Sequence, residues 1–235
     1  MQICTYSEYT FSGFKNSFNA FKNMGLGGNI FGAPLGLETV KPMGTGSGNG
    51  FSIFPDFNRF AFFAVWENRN AAECFFAESE LIHTYEERAV RYLHTILLPV
   101  KVHGKWGGKE PLRPQPVSES GGAVAVLTRA TIKTRHLPEF WMNVPDVSAF
   151  MADAPGVLHN LGVGEYPLFM QATFSLWKDA KALSAAAYGN TAHADVVRKT
   201  RERGWYAEEM FSRFEVVDIK TKGREFEGLA KEVMS

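Results

Sequence analysis

Hydrophobic and polar positions along this chain fall into strand-like and helix-like stretches whose order repeats. Residues 2–10 (QICTYSEYT) read as a strand, and Phe14–Met24 as a short helix with Phe14, Phe18 and Phe21 at i, i+4 and i+7. Gly25–Gly36 is glycine-rich and irregular, the composition of a lid or a pocket loop. Leu37–Met43 reads as a short strand. Gly44–Gly50 (GTGSGNG) has the composition of a phosphate cradle but not the GxGxxG spacing, and no helix pattern follows it, so a flexible or bulged turn is predicted. Phe51–Phe57 and Phe60–Trp66 (FAFFAVW) follow as strand, Ala71–Arg91 as helix and Tyr92–Val102 as strand. His103–Gly122 is dense in Gly, Pro and Ser and reads as a linker, although its Trp106 is expected to pack on the body or on a ligand. The same series then returns: strand Ala123–Ile132, helix Leu137–Ala152 divided by Pro145, strands Val157–Gly164 and Leu168–Trp177, helical run Ala180–Arg203 broken at Gly189-Asn190, and strand Glu208–Ile219.

Local matches support a duplication. Setting Trp66 against Trp177 brings His83 within one residue of His193. Met43–Gly46 matches Leu161–Gly164, Ala20–Met24 matches Phe140–Val144, and Ile3-Cys4-Thr5 matches Val126-Leu127-Thr128. Each half reads β-α-β-β-α-β, the ferredoxin-like plan. The expected fold is α+β: tandem ferredoxin-like repeats at 1–102 and 123–219, a linker at 103–122 and a charged tail at 220–235. Two four-stranded antiparallel sheets would pack face to face, a dimeric α+β barrel made within one chain. A cavity is expected between the sheets or between a sheet and its helices.

Composition narrows the function classes. Lys and Arg total 25, matching 25 Asp and Glu, and this balance argues against non-specific nucleic-acid binding. Two cysteines are too few for a disulfide framework, which fits a cytoplasmic setting. The N-terminal segment has no signal-peptide pattern, and no apolar run approaches the ~20 residues of a membrane span. Twenty phenylalanines suggest aromatic packing or a large apolar cavity.

The histidines are His83, His94, His103, His136, His159 and His193, with no HExxH, HxH or Cys/His cluster. No GxSxG is present. His193 shares the apolar face of its predicted helix with Val196, Val197 and Thr200. An inward histidine is either a packed core group or the right type of ligand for haem iron. Arg129, Arg198 and Arg201 are suited to haem propionates or bound oxygen, or to ordinary surface ion pairs.

From Leu127 onward a specific pattern runs through Leu127–Ile132 (LTRATI), Phe140-Trp141, Val144-Pro145, Leu161–Leu168 (LGVGEYPL), Gln171–Trp177 (QATFSLW), His193–Arg201, Gly204-Trp205, Ala207–Glu209 and Arg213-Phe214. By these residues the chain resembles the spheroidene monooxygenase family, the acyclic carotenoid 2-ketolases. The first half matches more loosely, at Met24–Leu26, Gly44–Phe51 and Gly104–Pro111. The resemblance implies oxygen insertion at C2 of an acyclic carotenoid, by hydroxylation and then ketone formation, using haem, O2 and a ferredoxin-like electron donor. It makes His193 the expected axial ligand, with Arg198, Arg201 and Trp205 as cofactor-binding residues. Arg129 or Gln171 is the expected distal donor, Glu208 or Glu209 the partner of the histidine's second nitrogen, and His83 the next ligand candidate. Contact with the membrane surface is expected through Phe31, Leu35 and Leu37. The competing readings are a cofactor-free α+β-barrel monooxygenase and a non-catalytic haem- or small-molecule-binding protein.

Overall fold

The structure, a computed structural model, describes residues 1–116, 121–189, 199–200 and 202–235. Its strands are β1 (Ile3–Phe11), β2 (Leu37–Gly46), β3 (Pro55–Trp66), β4 (Ala89–Gly104), β5 (Val124–Ile132), β6 (Val157–Tyr166), β7 (Met170–Trp177) and β8 (Tyr206–Lys222). They close into one antiparallel barrel in the order β1-β3-β2-β6-β7-β5-β8-β4. The expectation of two stacked sheets is therefore corrected to a single sheet closed on itself. The edges that the halves would expose pair with each other instead, which removes open strand edges. β4 pairs with β8 from Tyr92↔Lys222 to Gly104↔Met210, whereas β2 meets β6 only at Gly44↔Gly164 and Thr45↔Val163. Within each half, the first strand lies between the third and the fourth.

Strand pairing also corrects the sequence register. Trp66 lies opposite Ile3 and Leu37, and Trp177 lies opposite Val124 and Val157. Anchored on these tryptophans, Ile3 corresponds to Val124 and Gly44 to Gly164. The sequence match puts both two residues out. A two-residue slip returns every side chain to the same face, so alternation cannot detect it.

The described helices include α1 (Phe14–Gly25), α2 (Arg69–Glu78), α3 (Glu80–Arg88), α4 (Leu137–Ala152), α5 (Ala180–Gly189) and α6 (Leu229–Val233). The run expected as one helix from Ala71 to Arg91 is broken at Ser79, which is extended and accepts from the Ile82 N–H at 3.4 Å. That serine caps α3, as Asn68 caps α2 by accepting from the Ala71 N–H at 3.0 Å.

One parity of side chains on each strand fills the barrel and the other faces the helices. Inside, Tyr6 stacks on Phe174 with ring centres 3.6 Å apart. Trp106 and Leu112, from the stretch read as linker, and Phe226, Leu229 and Val233, from the tail, are buried in the same interior cluster. β4 runs past 102 to Gly104, and β8 past 219 to Lys222. Outside the first half, Tyr9, Phe11, Phe62, Trp66 and Tyr92 pack with α2 and α3.

Candidate functional site: the helix-facing side of the second half

The two halves differ most where their central strands face the helices. In the first half, Ser7 of β1 lies opposite Phe62 and His94, and Tyr9 opposite Phe60 and Tyr92. All six are buried, Ser7 completely. In the second half, Thr128 of β5 lies opposite Thr173 and Phe211, and Ala130 opposite Gln171 and Glu209. Three aromatic positions are thus occupied by Thr173, Gln171 and Glu209, and Tyr9 is matched by an alanine. Thr128 is exposed in the middle of a strand whose residues on either side are buried. An exposed residue at the centre of a closed sheet means that the layer the described residues form above it is open there.

Polar groups border this face. Asn160 of β6 lies opposite Ser175, and both atoms of its side-chain amide are buried without a hydrogen-bond partner. Nε of Arg213, on β8 opposite Val126, is buried and unpartnered as well. A buried polar group without a partner costs about 1–3 kcal/mol, so such groups point to a missing acceptor or donor. The first half has orphans of its own, at Ser7 and His94, but there the layer above is filled.

Glycines set the near edge. The Gly46 N–H donates to the Gly50 carbonyl at 2.9 Å, and that of Gly50 to the Ser47 carbonyl at 3.3 Å. The GTGSGNG segment therefore spends these N–H groups on its own turn rather than on a phosphate. It leans on β6, where the Gly162 N–H donates to the Asn49 carbonyl at 2.8 Å. A Cβ on Gly162 would collide with the backbone of Gly50, so only glycine permits this approach.

The sequence-predicted residues do not all meet here. His193, Arg198 and Arg201 lie outside the described residues. Gln171 is on the open face, but Arg129 is on the other side of the sheet, so the two proposed distal donors are not brought together. Arg129 is buried inside the barrel and ion-paired with Glu208. Glu208 also accepts from the Gly107 and Gly108 N–H groups, at 2.8 and 2.5 Å. Burial raises its pKa, but these amides and Arg129 outweigh that and hold it below the ordinary carboxylate value. Glu208 is thus committed to the interior, and Glu209 is exposed. Trp205 has no accessible surface, its indole N–H donates to Glu139 at 3.1 Å, and it packs with Ile132 and Phe140. His83 is exposed on α3. Phe31 is buried against Phe62 and Phe75, and Leu37 is half-buried, so of the three expected membrane contacts only Leu35 is fully open. Sequence reasoning missed Thr128, Thr173, Asn160 and Arg213 as site residues. The signal that could have found them is the loss of aromatics between matched strands.

A second polar cluster crosses the interior. Glu8 of β1 and His159 of β6, on strands that are not neighbours, meet at 2.9 Å, and the Tyr6 hydroxyl donates to Glu8 at 3.0 Å. Burial pushes the Glu8 pKa up, but His159 and Tyr6 together bring it below its ordinary value. Glu8 is buried among core side chains, and His159 is part-buried. Among the described residues, no three His, Cys, Asp or Glu side chains stand together as a metal site.

No family model matches the chain. Two crystal structures of aldoxime dehydratase, one with butyraldoxime, superpose with TM-scores of 0.64 and 0.61. At 12% identity, covering 94% of this chain and 82% and 80% of theirs, they share the fold alone. Sequence relatives are much nearer. The spheroidene monooxygenase of Rhodobacter capsulatus is 32% identical over 84% of this chain and 83% of its own. That of Rubrivivax gelatinosus is 34% identical over 81% and 74%, and that of Cereibacter sphaeroides 30% over 92% and 67%. With identity at this level along most of both chains, the chain belongs to the spheroidene monooxygenase family.

Proposed function

We propose that the protein is a carotenoid monooxygenase that works on the open, helix-facing side of its second half. The observation that carries this reading is Thr128, exposed at the centre of β5 where Ser7 of β1 is completely buried. Small side chains there (Thr128, Ala130, Thr173) leave the volume that aromatic rings fill in the first half. Such a space suits a flat apolar cofactor and a long polyene, which gain stability by leaving water. The Arg213 guanidinium beside it suits a carboxylate. The described residues thus fit haem, which supplies oxygen activation when bound.

His193 would hold the haem iron, and Arg198 and Arg201 would pair with its propionates; all three assignments rest on the sequence. Gln171 is the donor on the correct face. Each hydroxylation consumes one O2, two electrons and two protons, places one oxygen atom in the substrate and releases the other as water. A second hydroxylation at the same C2 carbon gives a hydrate that loses water to the ketone. The electrons come from an external ferredoxin-like donor. The architecture is proposed to be a tandem ferredoxin-like pair, repeats 1–102 and 123–219 joined by 103–122 and followed by 220–235, which the matching strand order of the halves supports.

The test is an absorption spectrum of full-length protein expressed with haem supply, alongside oxygen-dependent turnover of an acyclic carotenoid. A stoichiometric Soret band that His193→Ala removes is the expected result. Turnover without any haem would favour the cofactor-free reading instead, and haem without turnover a binding protein.

A further inference from the structure

We propose that α1 and the loop joining β2 to β3 form a docking surface for an anionic lipid bilayer, set beside the open face of the second half. α1 is inside out. Its barrel side carries Ser17 and Ala20, both buried, and the Ser17 hydroxyl donates to Asn58 Oδ1 at 2.6 Å. Its outer side carries Phe14, Phe18 and Phe21, which are 86%, 54% and 42% exposed. Ile53 and Phe54 in the adjoining loop, and Phe57 at the start of β3, are 53%, 69% and 52% exposed. Phe21 meets Phe57 edge-on at 5.3 Å between ring centres, so α1 and the start of β3 form one patch, with Phe54 and Ile53 next to it along the chain. A contiguous apolar patch of this kind marks an interaction surface.

Three features choose the bilayer as its occupant. The first is charge: α1 carries Lys15 and Lys22 and no carboxylate, and residues 47–54 carry no charge at all. The nearby Asp56 is 3.7 Å from Arg59. Lys22 and Arg88 line a cleft of about 330 Å³ between α1 and α3, which Glu80 also borders. Phenyl rings rimmed by lysines match the interfacial helices that sit at the headgroup boundary of anionic membranes. The second is shape: the exposed rings stand on the outside of a helix and where the loop joins β3, as groups that enter a headgroup layer do, and the cleft between α1 and α3 is not lined by Phe14, Phe18, Phe21, Phe54 or Phe57. The third is continuity: the loop that displays Phe54 also holds Gly162 of β6 through the Asn49 carbonyl, and Gly162 lies opposite Thr173 on the open face. A molecule leaving a bilayer at Phe54 meets the open face across the width of one loop. This last step rests on the proposed substrate; the docking itself rests on the surface.

The experiment is flotation of full-length protein with vesicles of phosphatidylcholine, with and without phosphatidylglycerol, in the absence of any carotenoid. The protein should float with the vesicles, and more strongly with phosphatidylglycerol. The variant Phe14→Ser/Phe18→Ser/Phe54→Ser should reduce the bound fraction about tenfold or more. It should keep its circular dichroism and its turnover of detergent-dispersed substrate, and lose turnover of vesicle-embedded substrate. Wild-type protein that stays unbound to both vesicle types overturns the proposal, as does a variant that floats equally well. So does a patch whose loss only turns a dimer into a monomer on a sizing column without lipid, which would make it a contact between copies of this chain. Because flotation needs no substrate, failure to float leaves the oxygenase reading intact, and flotation without turnover leaves the docking intact.

Discussion

The helix-facing sides of the two halves start from the same strand order and end as different materials. In the first, Phe60, Phe62, Tyr9 and Tyr92 are buried around Ser7, and Phe62 meets Phe31 with ring centres 4.8 Å apart. In the second, the positions around Thr128 carry Gln171, Thr173, Ala130 and Glu209, and Thr128 itself is exposed. One half devotes this layer to stability and the other leaves it open. A barrel closed by twelve-residue and longer strands such as β3, β4 and β8 tolerates this, because its interior core is shared by both halves.

The contrast makes opposite demands on single substitutions. Phe62→Ala removes a buried ring from the filled layer. It should cost about 3–5 kcal/mol in stability, as large-to-small core changes do, and should show in urea unfolding as a lower midpoint at unchanged slope. A loss below about 1 kcal/mol would mean that the first half is not the packed one. Thr173→Phe performs the reverse exchange and gives the second half the residue that lies beside Ser7 in the first. Its melting temperature should barely move, because the ring enters open space. Turnover should fall by about a hundredfold or more, as misplaced substrates commonly do, and haem content should fall with it. A Thr173→Phe enzyme with full turnover would show that the open face is not the site.

How much of this the sequence discloses depends on the physical signal. Alternation locates every strand to within a few residues, because a half-buried strand must alternate. The tryptophan match finds the repeat, since Trp66 and Trp177 close the same corner of each half. Register is lost by two residues at Ile3 and Gly44, because faces are conserved by that slip. The break at Ser79 is hidden inside a run that is helical on both sides. The Phe14, Phe18 and Phe21 spacing defines a stripe but not what covers it, and the structure leaves the stripe exposed. Arg129 illustrates the remaining gap. One position along β5 decides whether a side chain meets the open face or the barrel interior, and the pairing with Glu208 that fixes its role spans 79 residues.

The smallest effect comes from a histidine in the filled layer. His94 of β4 lies opposite Ser7, where Phe211 lies opposite Thr128. Its Nε2 is 3.2 Å from Glu86 Oε1 and 3.3 Å from the Tyr9 hydroxyl, while Nδ1 is buried without a partner. A carboxylate only accepts, so the neutral ring carries its proton on Nε2. Protonation would add a second N–H with nowhere to donate. Burial accordingly lowers the His94 pKa from 6.5, with Glu86 pulling the other way. The hydrogen bond from His94, followed by Lys220, holds the Glu86 pKa at about 2, against its own partial burial. The signs agree. As pH falls through 6.5, the unfolded chain takes up the histidine proton before the folded one, so stability is lost on the acid side. Glu86 adds a second loss between 4.5 and about 2. His94→Phe copies the second half's residue into the first and removes the earlier loss. Its melting temperature should vary less than that of the parent protein between about pH 7 and pH 5. It should also lose less stability between pH 4.5 and about 2, because Glu86, left with Lys220 alone to lower its pKa, has less to lose there. Parallel curves for the two proteins across that range would place the source of the pH dependence outside this layer.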